Sequence, residues 1–369
     1  MTSLCELRGH AATVFHCDVC GHTQTAELEN AAEFYDQDYR ILVESEDEDQ
    51  LYDVVDGKQV FRLTHQADTV LKSVDLPDGA RVLDYGAAKG ASLKKLCEQR
   101  PDLHPSLFDV SEMYVPFWER FVDASQWACY TIPDHWSGTF DLVTSYFVAE
   151  HVADLDAMLS TIRECLKPGG TFFFTVPNVF INIADLIVVD HVNHFSESSL
   201  RQLLYRHGFG DVTISDEAYK AAYVITARRA EHRLHPPANA TGAEREQIRK
   251  TAAWWTELSD RIHAWEKSQS APVSGIYGAG FYGSYLYSCL AGQDAVCCFA
   301  DANQYLWGTE RFGRPVVSPD EIPANVTHML IGLNPVVARS VVAGIDCWSG
   351  RNFECFFLDD LGSSGRRAA

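Results

Sequence analysis

Four groupings of residues in this chain have the types and spacing for chemistry. Asp190-His191-Val192-Asn193-His194 places imidazoles and a carboxylate close together, and His151 stands upstream of them. A neutral imidazole near its reference pKa of about 6.5 is suited to take a proton, and a carboxylate beside it fixes the tautomer and stabilises the imidazolium. His191 with Asp190 is therefore the expected general base, with His194 and His151 in reserve. A second grouping, Asp84-x-Gly86-x-x-x-Gly90, follows a short apolar run at Val82 and Leu83 and precedes a helical pattern from Ala91. A strand that passes through such a small-residue loop into a helix brings backbone N–H groups close to a ligand, which makes it a cofactor pocket. Asp109 closes the next strand, where an acid can accept hydrogen bonds from both hydroxyls of a ribose. Cys17-x-x-Cys20-Gly21 has the spacing of one half of a tetrahedral zinc site. Finally, Gly278-x-Gly280-x-x-Gly283 fits the dinucleotide pattern, with Asp301 about twenty residues on.

The elements that must hold these residues follow the order of a doubly wound α/β sheet. Strands are expected at Val82–Leu83, His104–Val110, Phe140–Tyr146 and Thr171–Asn178, and the Phe140–Tyr146 run is apolar enough to be buried on both faces. Val152, Leu155, Met158, Leu159, Ile162 and Leu166 give the intervening helix one apolar face. A closing hairpin is expected at Asp211–Ser215 and Ala221–Arg228. Ahead of the first strand, Gln59–Val74 reads as a helical lid, with Tyr35, Tyr39, Arg40 and Tyr52 available to line a substrate, or merely to pack it. A polar linker and an amphipathic helix bearing Ile248, Trp255, Leu258 and Ile262 separate this body from a second, smaller Rossmann-like α/β domain beginning at Val273.

A length of 369 residues exceeds what one core comfortably serves. The expected division is a Cys-bearing module at 1–30, an α/β domain with its lid at 31–230, a linker and helix at 231–270, and a carboxyl-terminal domain at 271–369. The net charge of −21 argues against non-specific nucleic-acid binding, which needs Lys and Arg against phosphate. The amino-terminal stretch has no apolar core of a signal peptide and no run reaches membrane-span length, so a cytoplasmic protein with reduced cysteines is expected.

Taken together, the glycine loop, Asp141-Leu142-Val143, Glu150-His151-Val152, Leu166-Lys167-Pro168-Gly169-Gly170 and Val176-Pro177-Asn178 resemble the class I S-adenosylmethionine (SAM) dependent methyltransferases over Arg81 to Asn178. Asp84, Gly86 and Gly90 match the family's first motif, and Ala88 stands at its middle glycine. The resemblance implies SAM as cofactor, bound by Asp84, Gly86, Gly90, Asp109 and Phe147. The three-part layout is similar to that of sugar C-methyltransferases, which have an acidic-His pair where Asp190-His191 stands, although Val188 replaces the tyrosine expected there. That layout implies a nucleotide-linked sugar as acceptor, methylated at oxygen or carbon, with Gly278, Gly280 and Gly283 as a pyrophosphate cradle. It also implies a paired cysteine knuckle, but Arg8 replaces one thiolate. Cys5, Cys17 and Cys20 are then joined by His10, with His16 or His22 as the alternatives, unless the module has lost its zinc. A non-sugar natural product as acceptor, or an NAD-binding oxidoreductase built on Gly278–Gly283, are the other readings.

Overall fold

The computed structural model describes residues 1–6, 12–38, 49, 51–55, 58–232, 242–270 and 272–359. Tyr39, Arg40 and His10 lie outside them. The chain divides into two compact units, one of Met1–His10, Leu186–Val188 and Ile248–Ala369, the other of Ala11–Asp185 and Val189–Gln247.

The larger unit is built on a seven-stranded sheet. From one edge to the other its strands are Phe209–Ser215, Ala222–Arg229, Leu166–Pro177, Phe140–Tyr146, Arg81–Tyr85, His104–Asp109 and Trp127–Cys129. The last five are mutually parallel, and the two hairpin strands run antiparallel at the other edge. Residue parity sorts the apolar side chains to the two faces. Leu83, Val143, Phe172 and Phe174 join one core with Trp136 and Phe209. Val82, Leu142 and Phe173 join the other with Trp118, Leu93 and Leu107. Both faces are covered, which is why these strands read as continuous apolar runs rather than alternating ones.

The Ala91–Gln99 helix follows the first parallel strand, and the Leu155–Cys165 helix buries Leu155, Met158, Leu159 and Ile162 as its periodicity predicts. The lid departs from expectation. Its helix spans Arg62–Ser73, while Lys58–Phe61 is a strand paired antiparallel with Leu51–Val55. The β-branched and aromatic Val60 and Phe61 suit that extended pairing better than a helical first turn. A small antiparallel sheet joins the hairpin Val14–His16 and Thr23–Thr25 to Asn193–His194, so that Thr23 faces His194 and Gln24 faces Asn193.

The smaller unit carries a second sheet, ordered Glu310–Arg311, Arg314–Val317, Val296–Ala300, Ser274–Tyr277, His328–Ile331 and Glu354–Phe357, parallel except at its first strand. The molecule is thus mixed α/β with two Rossmann-like parallel sheets. The long helix Gly242–Ser268 buries Ile248, Trp255, Leu258 and Ile262, and Trp255 packs edge-on to Tyr285 at 5.0 Å between centroids. Among the described residues no helix is long and apolar enough to cross a membrane.

Candidate active site

The glycine loop turns sharply between Tyr85 and the Ala91–Gln99 helix. Gly86 has φ +76° and Gly90 φ +72°. A Cβ on Gly86 would sit 2.4 Å from a methyl of Val148, so a side chain there is excluded by contact as well as by backbone conformation. Ala88, at the position where the family has glycine, also adopts a left-handed conformation, φ +46°. That conformation costs an L-residue about 1–2 kcal/mol. Both of its peptide groups are held: its N–H donates to Asp109 Oδ2 at 2.8 Å, and its carbonyl accepts from Trp118 Nε1 at 2.6 Å.

Beside this loop opens a cavity lined by Arg62, Gln66, Asp84, Gly86, Ser92 and Tyr146. Asp84 is fully enclosed, accepts a hydrogen bond from Thr144 Oγ1 at 2.8 Å, and is pushed by burial up to about 7. Burial likewise raises Asp109 to about 6, although the Ala88 and Val110 amides stabilise its charged form. Asp109 accepts from the amides of Ala88, Val110 and Ser111, and with room for roughly four hydrogen bonds on a carboxylate it keeps capacity for one ligand hydroxyl. A ligand with a sulfonium cation and adenosine hydroxyls fits buried acids of this kind. Arg62 also lines the cavity, its guanidinium 4.3 Å from the ring centroid of Phe147, a cation of the kind that pairs with a ligand carboxylate. Phe147 itself has φ +57°. Tyr52 stacks on His65 at 3.8 Å and touches Tyr219 at 4.9 Å, a packed aromatic group.

The histidines expected to move protons converge in the same unit. Their organising group is Asp185, which is fully buried in the turn Ile183–Ile187. One oxygen of Asp185 meets His191 Nδ1 at 2.6 Å and the other meets His194 Nδ1 at 2.7 Å. The partner of His191 is therefore Asp185 rather than Asp190. Asp190 lies in a turn ahead of the Asn193–His194 strand, and its carboxylate sits 3.6 Å from His151 Nδ1. Burial alone would drive protons off His191, but the hydrogen bond and charge of Asp185, with Glu150 and Asp190, carry it up to about 9. Asp185 pays the burial penalty and is nevertheless held well below the usual carboxylate range by His194 and His191.

His151 is the opposite case. Burial, then the charge of His191, pull it down to about 4. Its Nδ1 lies 3.0 Å from the Asp190 carbonyl and 3.0 Å from the Tyr35 hydroxyl, which itself donates to that carbonyl at 2.8 Å. Two oxygens around Nδ1 assign the proton of the neutral ring to Nδ1 and its lone pair to Nε2. Glu150, buried beside it, is raised by burial to about 8 against the opposing charge of His191. One donor atom each from Glu150, His151 and His191 lie within 4.8 Å of one another, the one such metal-type trio among the described residues. Charge there is already balanced by Asp185 against His191.

Cys17 and Cys20 form a tight knuckle: Gly21 N–H donates to the Cys17 carbonyl at 2.9 Å and Cys17 N–H to that of His22 at 2.8 Å. Amides of Cys20 and Val19 favour the exposed Cys17 thiolate, lowering its pKa, while burial raises Cys20. Cys5 belongs to the smaller unit, and among the described residues no third donor joins Cys17 and Cys20. In the smaller unit, Gly278 has φ +100°, and a Cβ on Gly283 would lie 1.9 Å from the Gly278 carbonyl oxygen. Those two glycines let the backbone pack on itself, whereas around Gly280 there is open space. Asp301 accepts from Ala279 N–H at 2.8 Å, repeating the Asp109–Ala88 contact of the first loop.

Asp185 and Arg62 were not legible as site residues. Asp185 lies six positions before His191 in an apolar run, and Arg62 was hidden in a lid whose helix began later than its pattern indicated.

Comparison with known proteins places a methyltransferase-domain family model over residues 58–214. The ubiquinone biosynthesis O-methyltransferase of Idiomarina loihiensis is 28% identical over 121 residues, 31% of this chain and 50% of that protein. Its namesake in Xanthomonas campestris pv. campestris is 34% identical over 116 residues, 30% of this chain and 48% of that protein. This chain thus spans about half the length of the curated relatives it matches. Among solved structures, the CurJ carbon methyltransferase aligns at 18% identity over 46% of this chain and 54% of that one, with a TM-score of 0.38. With the family match lying across the glycine loop and the parallel strands that carry it, residues 58–214 are a methyltransferase domain of the class I, SAM-dependent kind.

Proposed function

We propose that the whole protein is a SAM-dependent methyltransferase whose acceptor is a sugar presented as a nucleotide conjugate, methylated at oxygen or carbon. The observation that carries the reading is the enclosed Asp185–His191 and Glu150–His151 cluster, in the same unit as the Asp84–Gly90 loop. SAM, when bound, supplies an electrophilic methyl for in-line displacement. The acceptor's oxygen or carbon must lose a proton as it attacks, and the neutral His151, with its lone pair on Nε2, is the group able to take it. His191, charged below about pH 9, stabilises negative charge developing on the acceptor, and Asp185 holds it in that state. This reverses the order of candidates expected from sequence, where His191 was the base. The second Rossmann-like sheet, with open space at Gly280 and Asp301 beneath its loop, supports a nucleotide on the acceptor. Free thiols at all its cysteines suit a reducing, cytoplasmic setting.

Incubation with SAM and a panel of nucleotide sugars, followed by mass measurement, tests the reading. A sugar nucleotide heavier by one methylene with release of S-adenosylhomocysteine is expected. Product only with phenolic or quinone-type acceptors would favour a second reading, which the names of the O-methyltransferase relatives suggest. Saturable NAD binding without methyl transfer would favour an oxidoreductase built on the second unit.

A further inference from the structure

Asn193 stands between His191 and His194 in the chain and has no exposed surface. Its side-chain nitrogen donates to the carbonyls of Ala149 at 2.9 Å and Val152 at 2.7 Å, the residues that bracket Glu150 and His151. Its side-chain oxygen accepts from His22 Nε2 at 3.0 Å and Gln24 Nε2 at 3.2 Å. A primary amide offers two donors and two acceptor lone pairs, and all are used. Two carbonyls facing the nitrogen fix which end of the amide is which, and the oxygen, which only accepts, assigns a proton to His22 Nε2. The backbone runs in parallel with these bonds. Val192 N–H donates to the Glu150 carbonyl at 2.8 Å, Thr25 N–H to that of Val192 at 3.1 Å, and the Thr25 hydroxyl to that of His191 at 2.5 Å. Aspartate here would turn a charge on two carbonyls, and glutamine would be a methylene too long.

We infer that Asn193 is a positioning residue that clamps the Glu150–His151 turn to the His191–His194 segment and ties both to the amino-terminal cysteine hairpin. The inference rests on the proposed role of these histidines in methyl transfer. It gives the hairpin a task that needs no metal: its Thr23–Thr25 strand, with His22, is the outer jaw of the clamp.

His191 is faced by Asp185, Asp190, Glu150 and His151, and Asp185 is shared with His194, so a slip of the turn changes the charges His191 meets. Histidine NMR titration of the full chain reads this without any acceptor. Asn193→Ala is expected to move the His191 midpoint toward its ordinary value by roughly half to one unit. It should also cut kcat roughly 10–100-fold with the KM for SAM unchanged. Should N193A fail to fold, His22→Phe keeps a ring beside Phe195, 5.4 Å away, but removes the donor, and His22→Gln restores it. H22F is expected to shift His191 the same way and H22Q to return it to the wild-type midpoint. Wild-type titration in both N193A and H22F, or an H22Q variant that behaves as H22F does, overturns the clamp. Failure of methyl transfer with every acceptor would instead strike the proposed function and leave the titration result standing.

Discussion

Asp185 grips two imidazoles at once, and a carboxylate so placed decides which of the neighbouring histidines is charged. Asp185→Asn keeps the shape but removes the charge. His191 should then titrate near its ordinary value, and turnover should fall roughly 10²–10⁴-fold with SAM affinity unchanged, as measured by initial rates beside calorimetry. His151→Ala should reduce turnover to a similar degree, again without weakening SAM. The Asp185 contact shows what sequence proximity misleads about. Asp190 adjoins His191 in the chain and was the natural partner to expect, yet its carboxylate lies 3.6 Å from His151 Nδ1 while His191 Nδ1 pairs with Asp185, six residues back. The Asn193 bonds were equally hidden, because each reaches a residue remote in sequence.

At the scale of the element, the strand–loop–helix from Arg81 to Gln99 was the clearest feature in the sequence, and its glycines explain why. Gly86→Ala meets Val148 and a left-handed φ together, so it should abolish measurable SAM binding while the helix, read by circular dichroism, persists. Ala88→Gly relieves a strained alanine and should raise the melting temperature by about 2–4 °C for the roughly 1 kcal/mol recovered, leaving SAM binding intact. The Phe140–Tyr146 strand and the Leu155–Cys165 helix were legible too, since burial on two faces, or on one, leaves a distinct apolar period. The Lys58–Phe61 strand was not, because four residues are too few to separate a hairpin edge from a helical first turn.

Across the whole molecule, the buried ionisable groups set how stability follows pH. His191 is raised above its ordinary value, so its contribution is complete below about pH 6.5 and is lost as pH rises through about 9. Asp84, Asp109 and Glu150 are acids raised by burial to about 7, 6 and 8, so each also withdraws stability as pH climbs from the ordinary carboxylate range through those values. Asp185, depressed, loses its contribution only as pH falls below that range. The melting temperature is therefore expected to fall steadily between about pH 6 and 9, and less steeply with SAM present, whose cation favours the ionised acids. The second Rossmann-like unit was legible from its own glycine run. Whether its loop takes a nucleotide turns on Gly280, since Gly278 and Gly283 are already committed to packing.

The most direct test of the central claim is isothermal titration of the full chain with S-adenosylhomocysteine. A saturable one-to-one isotherm that disappears in the Gly86→Ala variant is predicted. A flat titration with the folded wild-type protein, or an isotherm unchanged by that substitution, would contradict the account.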